Sequence, residues 1–193
     1  MKQLIVYSHP NPLSFNHAIL ETLTGALKAQ GDEVVVRDLY ALKFDPVLKA
    51  ADFEAIQQGS VTGDVKVEQD HIRWADVITF IFPVWWASMP AITKGYIDRV
   101  FSHGFAYSYS ANGPQGLLGG KKVMVITTQG APEAYYAGNG MLQSMSQTID
   151  EGIFKFCALE LLGHRAFGEV PSTTPENRAK MLTEVTQMAA TLK

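Results

Sequence analysis

The period of the hydrophobic positions changes repeatedly along this chain. "QLIVYS", Gln3 to Ser8, is an unbroken apolar run ending in turn-forming residues, which predicts a strand buried on both faces. Pro10 and Pro12 forbid a helix directly after it. From Asn16 the spacing becomes helical: Ile19, Leu20, Leu23 and Leu27 share one stripe, and Gly31 stands where a C-cap belongs. Glu33–Leu39, Asp76–Phe82 and Lys122–Thr128 repeat the strand pattern, and His164–Val170 is a weaker fifth run. Helical spacing separates these runs over Lys49–Gln58, Val67–Ala75, Pro90–Phe101, Met141–Ala158 and Pro175–Leu192. Thr173 or Thr174 before Pro175 supplies an N-cap followed by proline in the first turn.

Strands alternating with helices predict a parallel sheet covered on both sides. Five strands suit a flavodoxin-like, doubly wound α/β sheet better than a six-stranded dinucleotide fold. With no internal repeat, low-complexity tract or linker, residues 1–193 read as a single domain. The segment Ser102–Gly120, rich in Gly, Ser, Asn and Tyr, reads as a functional loop.

Composition narrows the classes. The chain is 47% apolar and 18% charged with a net charge of −3, and it has no run of Lys or Arg, which argues against a nucleic-acid or anionic-membrane partner. The start "MKQLIVYSHPNP" is too short in apolar residues for a signal segment, and "VITFIFPVWWA" is too short to span a bilayer. One cysteine, Cys157, cannot close an internal disulfide, so a cytoplasmic setting is expected. Cys157 lies on an apolar helix stripe and is expected to be an inert, packed thiol. His71, His103 and His164 have no companions at ligand spacing, so no metal is assigned; His17 reads as a helix-surface residue.

Ligands of an open parallel sheet bind beyond the carboxyl ends of its strands. Three segments there are unusual. "SHPNPLSFNHA" has no glycine, hence no P-loop, but it offers Ser14, Asn16 and free backbone N–H groups at a helix start suited to a phosphate. Ser14 also reads simply as an N-cap. "PVWWASMPA" is fixed by Pro83 and Pro90, and Trp85 and Trp86 can wall a planar ring or pack against helices. "TTQGAPEAYYAGNG" permits close backbone approach through its glycines, with Tyr135 or Tyr136 as a hydroxyl source, or it is an ordinary surface loop. In "FAYSY" the residues Phe105, Tyr107 and Tyr109 alternate and should share a face. Together the three segments fit a flavin, with phosphate at the first and the ring at the other two.

At these residues the chain resembles the NAD(P)H:quinone oxidoreductases of the DT-diaphorase type. The likeness is densest in "SFN", "DLYALKFDP", "PAITKGYIDRVF", "FAYSY" and "GIFKFC", and it runs over nearly the whole sequence. The resemblance implies a homodimer with flavin sites at the interface, reduced by NAD(P)H and reoxidised by a quinone in two-electron, ping-pong fashion; azo or nitro compounds are side substrates. Carried over by position, His9, Ser14, Phe15 and Asn16 would hold the flavin phosphates. Pro83, Val84, Trp85, Trp86, Thr127, Thr128 and Gly130 would run along the ring, with Tyr135 near its pyrimidine end as the catalytic candidate. Trp86 also counts as substrate-binding; Tyr107, Tyr109 and Phe156 match substrate residues given by the other subunit, Asp98 an acidic residue near the cofactor, and Arg178 an adenine neighbour. Arg178, Asp98 and Lys43–Leu48 favour FAD, with FMN the alternative. A histidine that the mammalian members carry six residues after the loop tyrosine is Met141 here. The same residues allow two other readings. One is a regulatory flavoprotein on a potassium-efflux-type membrane transporter, for which no exposed apolar helix speaks. The other is a flavodoxin-like electron carrier, which the modest charge disfavours.

Overall fold

The computed structural model describes all of residues 1–193. Five parallel strands form one sheet in the order β2-β1-β3-β6-β7. They are β1 (Lys2–Tyr7), β2 (Glu33–Asp38), β3 (Val77–Pro83), β6 (Lys122–Thr128) and β7 (Glu160–Phe167). β3 is buried at every position, because helices cover both faces. On one face α1 (Phe15–Ala29) and α7 (Pro175–Ala189) close over Ile5, Tyr7, Ile81 and Ile126. On the other, α3 (Gly63–Trp74), α4 (Ala91–Val100) and the segment after β6 close over Val6, Phe80, Phe82 and Val125. α2 (Ala50–Gln57) lies outside α4, tied down by a buried ion cluster: Arg99 donates to Asp52 at 2.9 and 3.1 Å, to Asp64 at 2.6 Å, and to the Asp45 carbonyl at 2.8 Å.

β1 lies between β2 and β3, so the chain reverses direction of travel across the sheet at β1. Such a reversal parts the loops after β1 and β3 and opens a crevice beyond their carboxyl ends.

Four expectations are corrected. β7 starts at Glu160, not His164, since Leu161 and Leu162 pack on opposite faces of the sheet; it stops at Phe167, where a Cβ on Gly168 would sit 2.8 Å from the Glu133 nitrogen. The single helix expected over Met141–Ala158 runs unbroken from Met141 to Lys155 but changes character: after a short separate α5 (Glu133–Gly138), α6 (Met141–Ser146) passes directly into a π-helical segment, Gln147–Lys155. Its wider turn seats Phe154 in the core, 4.9 Å from Phe80, while Asp150 also points inward. α3 begins at Gly63 rather than Val67, because its polar first turn carries one buried apolar residue, Val65. Finally, the expected loop Ser102–Gly120 contains an antiparallel hairpin, β4 (Tyr107–Ser110) and β5 (Gly113–Gly116). Gly116 lets it approach the end of the π-helical segment; a Cβ there would lie 2.3 Å from the Cys157 carbonyl carbon.

Candidate cofactor cleft

The three unusual segments meet. A cleft of ≈ 210 Å³ lies beyond β1, β3 and β6 and is lined by His9, Ser14, Phe15, Asn16, Pro83, Val84, Trp85, Thr128, Gln129, Gly130, Val170 and Pro171. A larger cavity of ≈ 640 Å³ borders α3 and residues 102–105. Of its two cationic side chains, Arg73 and Lys66, each is paired with Asp70.

The first wall is the start of α1. Ser14 is its N-cap, accepting from the His17 N–H at 3.2 Å, which leaves the Phe15 and Asn16 N–H groups without a partner in the chain. An anion at this mouth gains both donors and the positive end of the helix dipole. Beside it, Asn11 folds into an Asx turn, its side chain accepting from Leu13 N–H at 2.9 Å. His9 Nδ1 accepts from the Asn11 N–H at 3.0 Å. Burial holds the His9 imidazole below its ordinary value, against a smaller upward pull from Asn11, so His9 stays neutral near pH 7 with Nε2 carrying the proton.

Asn16 is 3% exposed and crosses to the third segment: its Nδ2 donates to Thr128 Oγ1 at 2.7 Å. Its Oδ1 has no partner, and neither has the Oε1 of the buried Gln129. Two buried acceptors left open on one cleft call for a ligand with N–H or O–H donors. Gly130 completes that wall. Its N–H is free, and a Cβ there would meet only Pro171 Cγ, at 4.0 Å, so the open space serves an occupant of the cleft.

The second wall separates the two tryptophans. Val84 N–H is fixed to the Thr128 carbonyl at 2.7 Å, and Trp85 and Ser88 exchange backbone hydrogen bonds of 3.0 and 3.1 Å. The two residues between, Trp86 and Ala87, have φ of 52° and 56°. Such a turn favours Asn-Gly, and each left-handed residue with a Cβ costs about 1–2 kcal/mol. Trp85 lines the cleft with its ring 6.1 Å from His9. Trp86 does not: it is fully exposed at the tip of the strained turn.

Other expected residues stand elsewhere. The Thr127 side chain is wholly buried on the opposite face of the sheet, its hydroxyl 3.4 Å from His164 Nε2. Tyr135 is on α5, exposed, beside Tyr136 and outside the cleft lining. Arg178 is a bracket: its guanidinium donates to the carbonyls of Val170 at 2.9 Å and Pro171 at 3.3 Å, fixing that wall from behind. Asp98, Tyr107, Tyr109 and Phe156 gather in a second concavity of ≈ 290 Å³ that shares no residue with the first. There the Tyr107 ring lies 5.5 Å from Phe156 and 5.7 Å from Tyr109. Phe105 has turned away to sit under the Arg73 guanidinium at 4.7 Å. Cys157 borders this concavity with a thiol pushed by burial to about 11, so it is unreactive at neutral pH.

Gln129, Val170 and Pro171 line the cleft without having been expected there. The last two follow the end of β7, so the carboxyl-end rule that located the other loops applies to them as well.

A five-stranded parallel sheet with its cleft at the β1/β3 reversal defines a flavodoxin-like protein, and the flavodoxin-like fold family matches residues 1–189. The chain is 34% identical over 183 residues to an uncharacterized NAD(P)H oxidoreductase of Haemophilus influenzae, covering 94% of this chain and 91% of that protein. It is 32% identical over 201 residues to NAD(P)H dehydrogenase [quinone] 1 of Cavia porcellus, covering 94% and 73%. The solved NAD(P)H:quinone oxidoreductase from Methanothermobacter marburgensis superposes with a TM-score of 0.89 at 28% identity, over 100% of this chain and 99% of that one. The chain belongs to the NAD(P)H:quinone oxidoreductase family.

Proposed function

We propose that the cleft holds a flavin, as FAD, and that the protein reduces quinones with NAD(P)H two electrons at a time, with azo and nitro compounds as side substrates. Two of the relatives named above are an NAD(P)H dehydrogenase [quinone] and an NAD(P)H:quinone oxidoreductase, and one observation in this chain carries the reading. Two orphaned buried acceptors, Asn16 Oδ1 and Gln129 Oε1, face the same cleft as the unpartnered N–H groups of Phe15, Asn16 and Gly130. A ligand with an anionic end, hydroxyl or ring N–H donors and carbonyl acceptors satisfies all of them, and a flavin nucleotide is such a ligand. When bound it supplies hydride chemistry; the chain supplies its orientation and field.

The Phe15 and Asn16 amides and His9 hold the phosphate end, while Trp85 and Gly130 bound the ring. With Trp85 taken up by the ring and Phe15 at the phosphate end, further aromatic residues for a flat quinone are gathered in the second concavity, around Tyr107, Tyr109 and Phe156. A homodimer that brings this concavity of the partner over the cleft completes the site and covers Trp86, which as a fully exposed indole has apolar surface to bury. FAD is favoured over FMN because Arg178, Asp98 and Lys43–Leu48 correspond to the family's adenine surroundings. A cytoplasmic setting fits the single buried thiol.

The test is the absorbance spectrum of purified protein, mass identification of what heating releases, and NAD(P)H oxidation with menadione. A yellow protein releasing FAD and turning over menadione is expected. Colourless folded protein that takes up neither FAD nor FMN overturns the reading, and FMN on release overturns the choice of nucleotide alone. Sedimentation should give twice the chain mass of 21.2 kDa.

A further inference from the structure

Gln129 follows the last residue of β6 and is held at three points. Its N–H donates to the Phe167 carbonyl at 2.9 Å, its carbonyl accepts from the Val170 N–H at 3.1 Å, and its side-chain Nε2 donates to the Ala131 carbonyl at 3.2 Å. The Ala131 carbonyl is in turn fixed by the Glu169 N–H at 3.2 Å. A carbonyl oxygen can only accept, so this contact decides which end of the amide is which: Nε2 lies against Ala131, and Oε1 is the end left over. The residue is 3% exposed and lines the cofactor cleft, yet Oε1 has no partner in the chain. A buried acceptor that the chain orients and then leaves empty calls for a donor on a ligand.

The next residue, Gly130, offers the opposite group. Its N–H is unspent, and a Cβ there would meet only Pro171 Cγ, at 4.0 Å, so a flat edge can come up to the backbone. Consecutive residues thus present an acceptor beside a donor, which is complementary to an N–H beside a carbonyl. A flavin ring carries that order at its imide edge, where an N–H stands between two carbonyls. The hydroxyls of the flavin's ribityl chain donate and accept alike, so they do not require a pair of fixed polarity.

We propose that Gln129 reads the imide edge of the flavin, its Oε1 accepting from the ring imide N–H while the Gly130 N–H donates to an adjoining carbonyl. The proposal rests on the flavin reading above and deepens it by naming the edge of the ring that enters the loop after β6. Gln129 is then a specificity-determining residue. A ring alkylated at the imide nitrogen leaves Oε1 buried and unpaired, and the cleft discriminates against it.

Fluorescence titration of the full chain, freed of flavin, compares FMN with 3-methyl-FMN, in which a methyl group replaces the imide hydrogen. Wild type should bind the methylated ring at least about tenfold more weakly, the cost of stranding one buried acceptor. Gln129→Met keeps the bulk of the side chain and removes the acceptor. In that variant FMN should weaken about tenfold and 3-methyl-FMN less than about threefold, so the preference disappears. Were the glutamine only a spacer, Gln129→Met would keep the whole preference, because the added methyl would still meet the same bulk. That result, or equal binding of the two ligands by wild type, overturns the proposal. Should Gln129→Met fail to fold, wild type alone decides: the imide proton of nitrogen-15-labelled FMN should exchange with solvent at least about tenfold more slowly when bound, and exchange at the free rate overturns the assignment. Chains that take up neither FMN nor FAD overturn the flavin reading and this one together; chains that load FMN without favouring it over the methylated form overturn this one alone.

Discussion

Ala87 and His9 show how single residues set the cleft's energetics. Ala87 is held left-handed at φ 56° with nothing in its methyl group to require it. Ala87→Gly removes the backbone penalty, and the melting temperature should rise by the equivalent of about 1 kcal/mol, read by thermal denaturation. No rise would mean that the turn relaxes in solution. His9 is neutral near pH 7 because burial lowers it, with the Asn11 backbone pulling more weakly the other way. A phosphate beside it favours the cation, so the gain is present below the free-state titration and lost as pH rises through the bound-state one. Wild type should therefore bind FMN more tightly than His9→Asn in acid, with the advantage gone in alkali. Riboflavin, lacking the phosphate, should not distinguish the two proteins.

Elements are positioned by a few close approaches. A Cβ on Gly95, inside α4, would lie 2.2 Å from the Pro46 carbonyl oxygen. Gly95→Ala pits a helix-propensity gain of about 1 kcal/mol against a clash with backbone that cannot swing aside. The clash wins, and denaturant unfolding should show a net loss of about 1–3 kcal/mol. The sequence is candid about elements whose periodicity is undiluted: β1, β3, β6 and α1 stand where their apolar spacing puts them. It hides those set by tertiary contact. The helical stripe from Met141 to Ala158 carries no mark of the extra residue that makes Gln147–Lys155 π-helical, since that turn is decided by Phe154 meeting Phe80. The cleft is legible for the same reason as the core, because its loops follow readable strands. The side chains of Trp86 and Thr127 point away from the cleft, and that direction is illegible in the sequence because it depends on a turn type and a strand register that no short window contains. Arg178 gave a family position but not its partners, which lie seven and eight residues upstream.

At the scale of the whole molecule, one ion cluster fastens α2 and α3 to α4. Arg99 holds Asp52 low, outweighing the upward push of burial; at Asp64 burial pushes up, and the bonds from Arg99 and Thr62 overrule it to give about 2. Both carboxyls are depressed on folding, so their contribution is complete above the ordinary carboxylate range and vanishes as pH falls towards about 2. Arg99→Ala should cost about 3–5 kcal/mol at pH 7 by urea unfolding, because Asp52 is then left buried without a counter-ion. The gap between wild type and variant should narrow in acid; a gap independent of pH would place the loss in packing instead. The cleft and the aromatic concavity have no residue in common within one chain. Each catalytic unit, in the proposed dimer, is therefore assembled from halves that belong to different polypeptides. Two dead proteins, one spoiled at Asn16 and the other at Tyr107, should then revive one another when unfolded and refolded together. Half of the resulting pairs would be hybrids carrying one good site each, so roughly a quarter of the native turnover should return.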